Sequence, residues 1–108
     1  MRISRISENE FELDIPDFTK TVTAKVPEEL NKKLDQMVTN KSALIRSVLL
    51  KIVTENIDIS SIKTEMNRKN VISVKMRYSE FVKVKKFAKR NGISVSELIN
   101  RAIALVVS

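Results

Sequence analysis

Two stretches of this chain follow the same order of patterns, and neither is long enough to bury a core by itself. Residues 21–53 read as an alternating strand, a turn, a helix, a short turn and a second helix, and residues 71–107 read the same way. The strand stretches run from Thr21 to Val26 and from Val71 to Arg77. The openings of the second helices run from Asn40 to Arg46 and from Ser94 to Asn100. A unit of this length must stack on a neighbour to hide its apolar side, so the two must come together.

The patterning within each copy is specific. Val22, Ala24 and Val26 fall on one face of the first strand, with Thr21, Thr23 and Lys25 on the other. The second strand turns Ile72, Val74 and Met76 inward and Ser73, Lys75 and Arg77 outward. Pro27 suits a first helical position, with Glu28 and Glu29 favourable in the first turn. Leu30, Leu34, Met37 and Val38 then form one helical stripe, matched by Phe81, Val84, Phe87 and Ala88 in the second copy. Phe81 and Phe87 are read as core rather than as stacking platforms. Ser79 is read as the cap of that helix and Asn91-Gly92 as its end. Ser94 and Glu97 have the spacing of a capping box; Asn40 is the equivalent cap, but Ala43 leaves its box incomplete. The last helix of each copy has an apolar side: Leu44, Ile45, Val48, Leu49 and Ile52, then Leu98, Ile99, Ala102, Ile103 and Val106. The copies align at an offset of 50 through the first helix and 54 through the second, which predicts an interhelical turn about four residues shorter in the first copy.

Composition narrows the function classes. At 108 residues the chain is one domain, or two very small ones with a common core, and one Gly and two Pro favour helices over a sandwich or barrel. It has no Cys and no His, which removes thiol chemistry, the commonest metal ligands and the commonest general base. There is also no Gly-rich phosphate loop, so no enzyme activity, metal or cofactor is expected. No apolar run reaches the roughly 18 residues of a membrane span, and no signal-peptide pattern opens the chain; the expectation is a cytoplasmic, intracellular protein. The net charge of +7 is uneven: residues 1–18 carry −3, residues 19–67 carry +2 and residues 68–108 carry +8. A basic unit of that kind is the electrostatic footprint of a polyanion partner, usually nucleic acid.

A strand with one apolar and one polar face is not stable alone. Two such strands paired antiparallel make a ribbon that lays its inner face on the helices and leaves its outer face polar. A two-stranded ribbon fits the major groove of B-DNA, where Arg and Lys favour guanine and Thr and Ser reach either base partner or the thymine methyl.

Strand, Pro-Glu-Glu-Leu, helix, short turn and capped Ser-x-Leu-Ile helix together resemble the ribbon-helix-helix DNA-binding family, the β-ribbon readers that include Arc and MetJ. The resemblance covers about residues 20–53 and 70–107. It is greatest to tandem two-motif regulators, some of which are encoded by archaeal viruses; for a viral chain the implied compartment is the host cell. The fold it implies is mainly α with short β-strands: two ribbon-helix-helix motifs in tandem, sharing one core through a two-stranded antiparallel ribbon. By position, the resemblance implies base contacts from Thr21, Thr23 and Lys25 and from Ser73, Lys75 and Arg77. It also implies phosphate contacts at the second-helix N-termini, from Asn40, Lys41 and Ser42 and from Ser94, Val95 and Ser96. Arg77 and Tyr78 stand where the first copy has its Pro-type helix start, a departure from the pattern.

The implied organisation is an acidic arm (1–18), a first motif (19–53), a linker (54–70) and a second motif (71–108). The implied function is a sequence-specific double-stranded DNA-binding transcriptional regulator, activator or repressor. The alternatives are a protein-interaction module, antitoxin-like or for assembly, and a non-specific architectural DNA-binding protein. Lys83, Lys85, Lys86, Lys89 and Arg90 read as a solvated helix face. The 17-residue linker spans up to about 55 Å extended, so the repeats reach each other within one chain or between chains; pairing within one chain is favoured, with further homo-dimerisation on DNA. Ile57, Ile59 and Ile62 predict a linker that is partly packed. In the arm, Phe11, Leu13 and Ile15 alternate with Glu10, Glu12 and Asp14, a pattern suited to protomer contacts or to disorder.

Overall fold

The structure is a computed structural model that describes residues 18–107. Two strands and four helices follow in the order β1 (Thr19–Val26), α1 (Glu28–Met37), α2 (Lys41–Glu55), β2 (Asn70–Arg77), α3 (Tyr78–Arg90) and α4 (Val95–Val107). The domain is mainly helical. The acidic arm expected for residues 1–18 lies, but for Phe18, outside the described residues.

β1 and β2 pair antiparallel with each other in a two-stranded sheet. Thr19 lies opposite Arg77, Thr21 opposite Lys75, Thr23 opposite Ser73 and Lys25 opposite Val71. These residues form the exposed face. The other face carries Val22 opposite Val74 and Ala24 opposite Ile72, and it lies on the helices. The strand extends two residues ahead of the expected Thr21 because Lys20 is tolerated on the inner face. Its stem is half-buried and its amine sits 5.3 Å over the Phe81 ring.

The apolar core draws on every element. Ala24 and Val26 from β1 meet Leu34 from α1, Ile45, Leu49 and Ile52 from α2, Val74 and Met76 from β2, Val84 and Phe87 from α3, and Leu98, Ile99 and Ile103 from α4. Each fully buried Val, Leu, Ile, Phe or Met side chain stabilises the fold by about 1.5–3 kcal/mol. The packing is crossed: α2 lies against β2 and α4 against β1, while α2 and α4 pack on each other. Two edge contacts fix this arrangement. The Ser42 hydroxyl accepts the Lys75 backbone N–H at 2.9 Å, and the buried Asn100 amide donates to the Lys25 carbonyl at 2.9 Å and to the Ser96 carbonyl at 2.9 Å. Outer strand edges that would otherwise need water are thereby partnered by side chains from α2 and α4.

Several local expectations are corrected. Pro27 sits at the N-cap of α1, one position before the helix, and Met37 at its end is 49% exposed rather than inward. α3 is not capped by Ser79. It begins at Tyr78 behind an Arg77 N-cap, and Glu80 reaches back to accept the Arg77 N–H at 2.8 Å. A guanidinium has no acceptor, so only the carboxylate half of a capping box exists there. Ser94 caps α4 by accepting the Glu97 N–H at 3.0 Å, but the Glu97 carboxylate turns to Thr64, Arg68 and Arg101, so this box is also half-formed. The four-residue difference between copies is mostly helix: α1 has 10 residues and α3 has 13. Phe87 is buried in the core, whereas Phe81 is half-buried beside Tyr78, with ring centroids 6.3 Å apart. Gly92 has φ +71°, the left-handed conformation expected of the residue after that helix.

The linker is packed. Asn56 turns left-handed at φ 52° to end α2, Ile59 is fully buried, and Ile57 and Ile62 lie against the core. Arg101 donates to the Ile59 carbonyl at 3.1 Å, tying the linker to α4.

Candidate functional site

The exposed ribbon face gathers polar side chains because the alternation that buries Ala24, Val26, Ile72, Val74 and Met76 sends their neighbours outward. Thr21, Thr23, Lys25, Ser73, Lys75 and Arg77 all lie on this face and all are exposed. The register sets Thr21 beside Lys75 and Thr23 beside Ser73 at the middle, with Lys25 towards one end and Arg77 at the other. Among the described residues, Lys25 and Lys75 make no ion pair. Their charges are therefore available to an outside anion.

Two residues of the face were missed from sequence. Thr19 belongs to it because the strand starts earlier than the inner apolar pattern indicates. Val71, 63% exposed and opposite Lys25, belongs to it because strict alternation continues to the start of the strand. Extending the period by one step at each end would have found both.

Grooves flank the ribbon on its two edges. One is lined by Thr19, Arg46, Lys75, Met76 and Arg77. The other is lined by Thr23, Lys25, Met66, Arg68, Val71 and Ser96, among others. Each has an arginine held by a carboxylate. Arg46 makes a two-pronged pair with Glu80 at 2.9 and 2.7 Å, and Arg68 meets Glu97 at 2.6 Å. The Arg46 pair raises its own pKa and, as the largest influence, lowers that of Glu80. Arg46 and Arg68 are positioned but already paired, which leaves Lys25, Lys75 and Arg77, among the described residues, as the unpaired charge of the ribbon face.

The N-termini of α2 and α4 stand beside the strand edges. Asn40 Oδ1 accepts the Ala43 N–H at 3.0 Å, and Ser94 does the equivalent for Glu97. No hydrogen bond among the described residues takes the N–H groups of Lys41, Ser42, Val95 or Ser96, as expected for the first turn of a helix. Ser42 and Ser96 are half-buried, and Ser42 faces the β2 edge through Lys75. The Lys41 side chain is drawn back onto α1, with Asp35 at 2.8 Å and Asn31 at 3.0 Å. Its backbone N–H remains at the helix start, whereas its amine is shared with Asp35.

Among the described residues, no group of three or more His, Cys, Asp or Glu is arranged to hold a metal ion, and no helix is long and apolar enough to cross a membrane. No family model matches the chain, and no curated protein or solved structure is detectably similar to it.

Proposed function

We propose that the chain is a sequence-specific double-stranded DNA-binding transcriptional regulator of the ribbon-helix-helix type, with two motifs in tandem that share one core. The observation that carries the reading is the exposed face of the β1–β2 ribbon, where Thr21, Thr23, Ser73, Lys25, Lys75 and Arg77 converge without apolar cover. The ribbon enters the major groove. Lys25, Lys75 and Arg77 meet guanine edges, and Thr21, Thr23 and Ser73 meet smaller donors, acceptors or thymine methyls. The free N–H groups at the starts of α2 and α4 bind the flanking phosphates and fix the docking register; Asn40, Lys41 and Ser42 and Ser94, Val95 and Ser96 form those two ends.

The two strands differ, so the ribbon reads an asymmetric half-site. Lys75→Ala is expected to weaken binding to the selected site by about 1–3 kcal/mol, and Thr23→Ala is expected to relax base preference at one position. The site is first recovered by selection from a random DNA pool, and both variants are then titrated in a gel shift. Unchanged affinity and unchanged preference in both would overturn the ribbon assignment. Binding that falls with salt but shows no base preference points instead to an architectural role, and weak, sequence-blind binding alongside tight capture of a protein points to a protein-interaction module.

A further inference from the structure

We propose that Arg68, which the linker sets beside the start of α4, binds a backbone phosphate of the DNA, so that the linker is itself part of the interface. This rests on the DNA binding proposed above. Arg68 lies just ahead of β2 and reaches Glu97, the third residue of α4, at 2.6 Å. It lines one open groove together with Thr23, Lys25, Val71 and Ser96. That groove therefore combines outward strand residues, the first turn of α4 and a guanidinium held in place. Neither strand alternation nor helix-start chemistry points to Arg68, because it belongs to no strand or helix.

Pairing with Glu97 does not exhaust what Arg68 can donate. A guanidinium has five N–H donors. In Arg68 the Nε hydrogen goes to the Glu65 carbonyl at 2.8 Å, and Nη2 donates to Thr64 at 2.9 Å and to Glu97 at 2.6 Å. The two hydrogens of Nη1 have no partner among the described residues. Among those residues Asn100 Oδ1 is the one buried side-chain polar atom without a hydrogen bond, so Nη1 is not buried. The Arg68 side chain is 14% exposed, and it borders this groove.

Charge and rigidity favour an anion there. The Glu97 carboxylate is shared by Arg68 and Arg101, so one negative charge meets two guanidinium groups before Lys25 is counted. Lys25 makes no ion pair among the described residues. The Glu65 side chain lines a separate groove, with Pro27, Glu28 and Glu29. Three hydrogen bonds fix the Arg68 guanidinium before DNA arrives, so little further side-chain freedom is lost on binding. Nη1 donates to the phosphate oxygens while Nη2 stays on Glu97. The N–H groups of Val95 and Ser96, without hydrogen-bond partners among the described residues, add the positive end of the α4 dipole beside it.

The site selected from a random DNA pool is made as a series in which each phosphate in turn is an uncharged methylphosphonate. The full chain and its Arg68→Ala variant are titrated against every member. In the wild type, replacement of one phosphate beside the base pair at which Thr23→Ala relaxes preference is expected to weaken binding about tenfold. In Arg68→Ala the same replacement is expected to have no effect, while base preference stays unchanged. Arg68→Lys keeps a cation for Glu97 but has one nitrogen in place of the fork, and it is expected to lose most of the same coupling. It takes the place of the alanine variant if that one does not fold. Protein and DNA changes that act independently at every phosphate overturn the proposal, since a residue needed only for the fold weakens binding to all members alike. Coupling at a phosphate remote from the Thr23 base pair overturns the placement in this groove. A wild type that selects no sequence overturns the proposed DNA binding and this inference with it, whereas independent effects at every phosphate leave that reading standing.

Discussion

Glu97 accepts hydrogen bonds from Thr64 at 2.9 Å, Arg68 at 2.6 Å and Arg101 at 2.9 Å, joining the linker to α4. Arg68 donates also to Thr64 and to the Glu65 carbonyl, so the group is a network. Burial pushes the Glu97 carboxyl up, but the three donors outweigh it and hold the group below its ordinary range. Glu80 is also held low, first by its hydrogen bond from Arg46. A carboxyl whose folded pKa is depressed contributes stability above its unfolded value, about 4.3, and loses it as pH falls through the folded value. Thermal unfolding measured across pH is therefore expected to show no loss from these two groups between about pH 7 and 5, and a decline below about pH 4. Glu97→Ala, which takes from Arg68 and Arg101 their shared carboxylate, is expected to cost about 1–3 kcal/mol at neutral pH and to make the acid decline shallower. The sequence showed Glu97 only as a helix-start residue. Its partners are four residues away in one case and 29 and 33 in the others, and spacing within one helix says nothing about the latter two.

Strand alternation and helical stripes reported faithfully which residues face inward, because burial of one face is what selects them. The pattern located both strands and most of the inner positions of all four helices. It failed at element ends, where other contacts compete. Lys20 hides the true start of β1 by snorkelling over Phe81. Ser79 has the composition of a cap, yet the chain enters α3 directly from β2, and Glu80 secures that start through the Arg77 N–H. The candidate site was legible in its six outward strand residues, since they are the complement of the core. Its arginine pairs were not, because Arg46 and Glu80 meet only when α2 packs on α3. At the end of α3, Gly92 has open space where a Cβ would stand, so substitution tests backbone conformation alone. Gly92→Ala is expected to lower stability by about 1–2 kcal/mol, read by denaturant unfolding with an unchanged m-value.

For the molecule as a whole, the decisive pairing is between strands of one chain. β1 and β2 lie opposite each other, and α2 and α4 each pack on the strand from the other half. Unfolding that separates these halves is unimolecular. The midpoint of thermal unfolding is accordingly expected to be independent of protein concentration, whereas exchange of halves between copies would make it rise with concentration. Measurement over a hundredfold dilution series distinguishes the two. The crossed packing also has a consequence for synthesis. Ile45, Leu49 and Ile52 on α2 are covered by β2 and α4, which the ribosome delivers later. Thr19 waits for Arg77, 58 positions on, before the outermost ribbon pair can close. Throughout that interval the first half is a nascent chain with its apolar side uncovered, so the passage from partial to complete polypeptide is when this protein is most exposed to aggregation and to chaperones.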